Sequence, residues 1–352
     1  MRRGVETLVI SLANALADRG KDVSIITAKQ TQLPLVSPSS QVRVHQFPTF
    51  RYYEFATIAP FYAADLIREQ YDSVIVFFAD FGEGRALQLA APFAHPRLFL
   101  YLTFPYESAP HRYHAYQYWN WNERATNIFA DAAYTAKRGE EILGRSVAVL
   151  PSGTDPHCFK PCLEKRNKLR QRLGFGEHDI VLLNVAALED RKGIWRVIEA
   201  LPAVRDRFPQ IRYLILGEGR TREKLERRVT ELGLNGNIIF AGTTTDLPAF
   251  YNAADIFVML PDSEAGSVAC LEAMASGLPV VVSNTGGFAE AVNVQSGRMV
   301  NIHDQTEIAN TLIELAYDEM LCAQMGKAGR ATIVEKFSWE QLAARLDQLC
   351  SN

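Results

Sequence analysis

The chain has 352 residues, about half of them apolar, which is more than one hydrophobic core usually organises and predicts two domains. A net charge of −3 argues against a polyanion-binding protein, so nucleic acid is not expected as a partner. The five cysteines are scattered with no second pair or histidine cluster to complete a zinc pattern, and read as reduced thiols of a cytoplasmic protein.

The start, "MRRGVETLVISLANALADRG", opens in an amphipathic helix over 5–19, with Leu8, Leu12, Ala15 and Leu16 at helical spacing. No strand is predicted ahead of it. A strand over 22–28 follows, then a Pro/Ser-rich loop at 32–41, the strand "QVRVHQF" and a helix over 55–70. "DSVIVFF" is a continuous apolar run, as expected of a buried parallel strand. A helix near 83–93, the strand "RLFLYLT", a polar–aromatic stretch to about 124, short strands "DAAYTA" and "SVAVLP" and a helix over 136–144 complete this half. No signal peptide and no apolar run of spanning length is found.

A second alternation begins near Asp179. Strands "DIVLLNVA", "IRYLILG", "NIIFAG", "DIFVML" and "PVVVSN" are separated by helices over 193–207, 221–233, 246–253 and 267–276, and the remainder reads as mainly helical. Two such series predict an α/β fold of two doubly wound parallel-sheet domains, 1–150 and 151–336, with a last amphipathic helix over 337–352.

Loops after parallel strands carry the candidate chemistry. "PDSEAGSVACLEAMAS" puts Glu264 before a helix start and Glu272 inside the helix, with seven residues between. Ser267 can cap that helix, and free N–H groups at its start suit a phosphate. Spacing alone favours an acidic first turn and an exposed helix residue over two parts of one ligand site. "LEDRKG" sets Arg191 and Lys192 where a strand hands over to a helix; they can clamp a diphosphate or form a solvated basic turn. Gly217 in "LGEG", and Gly286 and Gly287 in "NTGG", either admit a ligand close to the backbone or only turn the chain. "PSGTDPHCFKP" reads as a linker or turn by composition.

Taken in order, these motifs resemble the retaining, nucleotide-sugar-dependent glycosyltransferases of family 4, glycosyl transferases group 1, across nearly the whole chain. The resemblance implies a GT-B fold, two Rossmann-like domains facing a cleft, with the N-terminal one here lacking the strand that usually precedes the "RRGVE" loop. It implies that Glu264, Lys192 and Arg191 act on the reacting sugar and diphosphate. Gly266, Ser267, Val268, Gly217, Leu247 and Gly4 would surround the donor, and Glu272 would hold the ribose. Two departures stand out: Ala187 occupies the usual position of an arginine, and "YLTFPYES" replaces a histidine-bearing strand end. Thr103, Phe104, Glu107 and His111 occupy that acceptor region, inside a segment (99–121) that holds nine of the 36 aromatic residues. That segment reads as an acceptor platform or as ordinary core packing.

The expected activity is transfer of a hexose, glucose from UDP-glucose by base rate, to a glycan or lipid-linked acceptor in polysaccharide biosynthesis. The chain would bind the inner membrane face peripherally at most. No metal site or cofactor is expected, the nucleotide sugar being a co-substrate. A sugar phosphorylase or sucrose-type enzyme with a soluble acceptor, and a non-catalytic nucleotide-sugar-binding subunit, are the alternatives.

Overall fold

The computed structural model describes residues 3–28, 37–47, 54–77, 81–103 and 117–351. Chain contacts divide it into two α/β units: residues up to Ser152 together with those from Trp339, and Gly153–Ser338.

In the first unit, α1 (Arg3–Asp18) leads into β1 (Val23–Ala28), which pairs in parallel with β2 (Val42–Phe47). After α2 (Glu54–Glu69), a separate parallel sheet forms from β3 (Ser73–Val76), β4 (Arg97–Leu102), β5 (Asn127–Ala130) and β6 (Ala148–Val149). α3 (Phe81–Ala90), α4 (Trp121–Arg124) and α5 (Ala133–Leu143) lie along this stretch. The spacing of Leu8 and Leu12 does its work here. They are buried with Phe99, Tyr101 and Phe129 of the sheet and with Leu342, Ala343 and Leu346 of the last helix. That helix, α13 (Trp339–Ser351), therefore completes the core of the unit to which the first half of the chain belongs.

Two expectations need correction. "DAAYTA" is not a strand: the strand is the four residues before it, and Ala133 already begins α5. Alanine favours helix and carries little strand preference, so the pattern was ambiguous. Phe99 and Tyr101 are fully buried, so they belong to the core and not to a platform.

The second unit holds one parallel sheet, in the order β12-β11-β10-β7-β8-β9. Its strands are β7 (Ile180–Val185), β8 (Ile211–Leu216), β9 (Ile238–Gly242), β10 (Ile256–Met259), β11 (Val280–Ser283) and β12 (Gly297–Val300). The helices are α6 (Leu163–Leu173), α7 (Ile194–Arg207), α8 (Arg222–Glu231), α9 (Leu247–Ala253), α10 (Val268–Ala275), α11 (Gln305–Tyr317) and α12 (Glu319–Lys336). Residues on the two sides of the strands fall into two separate cores: Leu182, Ile215 and Val258 go one way, Val181, Leu214 and Phe257 the other. This two-sided burial is why each strand reads as a continuous apolar run. β12 and α6 escape the sequence pattern. α6 buries Leu169 in the core and docks beside it by ion pairs, with Arg166 and Arg170 both held by Asp255 at 2.6 and 3.2 Å. Among the described residues no helix is long and apolar enough to cross a membrane.

Candidate active site

The strand order of the second unit reverses at β7. From there β8 and β9 continue one way, and β10, β11 and β12 the other. At such a switch point the loops leaving the carboxyl ends of adjacent strands diverge and open a crevice. The two loops concerned are Ala186–Lys192 after β7 and Leu260–Ser267 after β10. They carry the basic and the acidic motifs.

The structure joins them. Lys192, in a single 3₁₀ turn (Asp190–Lys192), is buried and its ammonium donates to the carboxylate of Glu264. Glu264 is half-buried, with 19% of its side chain exposed against 11% for Lys192, so the pair lies at the edge of solvent and within reach of a ligand. Asp262 N–H donates to the carbonyl of Arg191 at 2.9 Å, and Arg196 donates to the Asp262 carboxylate at 2.5 Å and to the carbonyl of Leu260 at 3.0 Å. Arg196 and Asp262 were not singled out by the sequence. Their signal is present only in hindsight of strand order: opposite charges in "RKGIWR" and "PDSE" matter once β7 and β10 are known to be neighbours.

Gly193 makes this approach possible. Its φ is +67°, and a Cβ there would sit 1.7 Å from the carbonyl oxygen of Leu260. Gly286 does the same on the other side, at φ +75° and 2.1 Å from the Glu264 carbonyl, to which Gly287 N–H donates at 2.8 Å. Thus the "NTGG" glycines hold the acidic loop from behind.

α10 starts at Val268, one short loop after Glu264. Ser267 caps it, accepting from Cys270 N–H at 3.2 Å. The N–H groups of Val268 and Ala269 are left in the open first turn, where donors and helix dipole suit an anion. Gly266 just before the cap is half-buried.

Glu272 is not the exposed helix residue that spacing favoured. It is buried, and Tyr251 of α9 donates to its carboxylate at 2.7 Å. Burial pushes its carboxyl up to about 7, against a smaller opposing effect of the Tyr251 hydrogen bond, and burial also raises the Tyr251 hydroxyl. Phe159 of "PSGTDPHCFKP" stacks edge-on against Tyr251 at 5.7 Å, and Arg330 donates to the carbonyls of Phe159 and Pro156. The segment that looked like a linker is thus fixed to the second unit behind Glu272.

Arg191 is placed differently from Lys192. Its side chain is about half exposed and pairs with Glu189 at 2.8 Å. Gly217 N–H donates to Gly242 at 2.7 Å, which ties the ends of β8 and β9 together, and half-buried Leu247 begins α9 nearby in sequence. In the first unit, Gly4 lies in the first turn of α1 and Thr103 is buried after β4. Phe104, Glu107 and His111 lie outside the described residues.

Comparison with known proteins bears on the family and the fold. Residues 2–157 match the family described as Glycosyltransferase Family 4, and residues 165–332 that described as Glycosyl transferases group 1. Among curated relatives, a GDP-mannose-dependent alpha-(1-6)-phosphatidylinositol monomannoside mannosyltransferase of Mycolicibacterium smegmatis is 34% identical over 230 residues, 62% of this chain and 60% of the relative. Its Mycobacterium tuberculosis counterpart is 32% identical over 227 residues, 61% of this chain and 59% of the relative. The chain therefore spans about 60% of the length of these relatives. Among solved structures, Anabaena HepE in complex with UDP and glucose aligns with a TM-score of 0.82 at 20% identity, over 99% of this chain and 96% of that one. Sucrose-phosphate synthase from Thermosynechococcus elongatus aligns at 0.80 and 23% identity, over 99% and 93%. With the two family matches in tandem and a GT-B fold beneath them, the chain belongs to the family 4, group 1 glycosyltransferases.

Proposed function

We propose that this chain transfers a hexose from a nucleoside diphosphate sugar to a glycan or lipid-linked acceptor, with retention at the anomeric carbon. The observation that carries this reading is the Lys192–Glu264 pair at the switch point, beside the open first turn of α10. As the bond between the anomeric carbon and the β-phosphate oxygen lengthens, negative charge gathers on the diphosphate. Lys192 is already fixed at low solvent exposure, so it meets that charge with little reorganisation. The N–H groups at the start of α10 add to it, and Arg191 can turn from Glu189 to contribute. Engagement of Lys192 by the diphosphate releases Glu264 to accept from the hydroxyls of the sugar. The acceptor hydroxyl loses its proton to the departing phosphate oxygen as the new bond to the same face of the carbon forms. Glu272 takes the ribose.

GDP-mannose is the first donor to test, because the relatives at 32–34% identity are named for it. UDP-glucose, the expectation from base rates, is the second. The purified chain is incubated with GDP-mannose, GDP-glucose, UDP-glucose and UDP-galactose, and release of GDP or UDP is measured with and without lipid-linked acceptor. One donor should be turned over, and Lys192→Ala and Glu264→Ala should each lower that rate by about 10²–10³. Normal rates in both variants remove the reading. The anomeric configuration of the product, read by NMR, decides retention.

A further inference from the structure

Arg196 is an unexpected residue for its place in the second unit. It is the third residue of α7, so its cation belongs to the positive end of the helix dipole, and no acidic residue shares that first turn. Its side chain is 5% exposed, and its Nε is buried with no hydrogen-bond partner among the described residues. Burying a cation in this way is unfavourable. Docking of α7 does not call for it, because Ile194, Val197, Ile198, Leu201 and Val204 are all buried in the core and seat the helix by apolar contact. What the guanidinium reaches is the loop after β10. It donates to the carbonyl of Leu260 and to the carboxylate of Asp262, and it lies 4.6 Å from the ring of its neighbour Trp195. The fork thus grips the chain just ahead of Glu264.

We propose that Arg196 is a positioning residue: it holds Leu260–Asp262 against the loop after β7, so that Glu264 keeps its place when Lys192 turns to the donor. This role rests on the transfer chemistry proposed above. In the free protein two side-chain ties join the loops, the Lys192–Glu264 pair and the Arg196 fork. Between them the Asp262 N–H donates to the carbonyl of Arg191 at 2.9 Å, so both ties act on one crossing. They are not equivalent. The Lys192–Glu264 pair parts when the diphosphate engages Lys192. The Arg196 fork uses neither of those groups and is the more buried, so it persists. A planar guanidinium on two acceptors fixes the direction of the loop as well as its distance, which a lysine ammonium on one acceptor does not. Without the fork the loop that carries Glu264 is held in the free protein and loosened in the donor complex, where a drift of about 1 Å takes the carboxylate off the sugar and slows turnover. The loss therefore falls on kcat and not on donor affinity.

The test has two arms. In the first, Arg196→Met and Arg196→Lys are assayed with the donor that the parent chain turns over. Arg196→Met should lower kcat by about 10–10² while KM for the donor stays within about twofold, and Arg196→Lys should recover little of the loss. Asp262→Ala, a change at a side chain 56% exposed, removes one prong without emptying the core and should lower kcat in the same direction with KM unchanged. Full recovery by Arg196→Lys, or a rise in KM at unchanged kcat, would overturn the proposal. The second arm needs no donor. Amide hydrogen exchange at Asp262 is followed in the parent chain, Lys192→Ala, Arg196→Met and the double variant. Each single variant keeps one tie, and the double variant keeps neither. Exchange should accelerate in the double variant about tenfold beyond the product of the single effects, and purely multiplicative effects would show that Arg196 does not share the hold on this loop. A parent chain that turns over no donor refutes the transfer reading alone, and the exchange cycle then decides the tie.

Discussion

Lys192 and Glu264 neutralise each other at the edge of solvent, and that arrangement sets what happens when one is removed. Lys192→Ala leaves a half-buried carboxylate without its cation, a state that costs more than the pair itself contributes. The double variant Lys192→Ala/Glu264→Ala should therefore be more stable than Lys192→Ala alone, by about 1–3 kcal/mol in urea unfolding, while both stay inactive. Simple additivity of the two single variants would show that the pair is not coupled. Glu272 makes a prediction of a different kind. Its carboxyl is raised by burial from 4.5 to about 7, so the folded protein holds a proton there that the unfolded chain releases. In that window the native state binds more protons than the unfolded state, and stability falls as pH rises from about 4.5 to about 7 before levelling. Glu272→Gln keeps an acceptor for Tyr251 and removes the titration. It should flatten the dependence of Tm on pH across this window and be the more stable protein at pH 8, while its affinity for the nucleotide drops. A parallel pair of Tm–pH curves would refute the assignment.

Among elements, the handover from β7 to α7 is the most tightly constrained. Gly193 and Gly233 have nearly the same φ, +67° and +64°, but a Cβ on Gly193 would strike the Leu260 carbonyl and one on Gly233 would meet nothing within 4 Å. Gly233→Ala should cost only backbone strain, about 1 kcal/mol, and Gly193→Ala several times as much, because β7 and β10 loops must separate to admit the methyl. Chemical denaturation of the two variants measures the difference. The same element shows what sequence could convey. The strand, loop and helix around Lys192 and Glu264 were legible, since apolar runs, glycines and a capping serine are local signals. The ion pair itself was not, since β7 and β10 are neighbours only through strand order, with 70 residues of chain between them. Local signals also failed for α6, whose buried residues are Leu169 and the ion-paired Arg170, and for Glu272, whose spacing is that of an exposed residue but whose partner comes from α9. In "NIFADAAYTA" the turn at Asp131 was hidden because alanine is acceptable on both sides of it.

At the scale of the whole molecule, the two units are not two lengths of chain. Leu342, Ala343 and Leu346 of α13 are buried against Leu8, Leu12 and the sheet residues Phe99 and Phe129. Leu346→Ala should cost about 2–5 kcal/mol, and the loss should fall on the unit that holds residues 3–152 even though the substitution is near the other end of the chain. Hydrogen exchange resolved by peptide would show it: faster exchange around Phe99 and Phe129, with Leu182 and Val258 unchanged. Uniform loss over both units would contradict the assignment of α13. The same packing governs how the protein is born. Synthesis delivers α1 and its sheet first, and the helix that seals them only after the whole of Gly153–Ser338 has been made. At about 5–20 residues per second, the nascent sheet waits on the order of 10–40 s with the apolar flanks of Phe99 and Phe129 uncovered. On the ribosome, then, Gly153–Ser338 is complete before the sheet translated ahead of it receives its closing helix, so the later unit is the first that can finish folding.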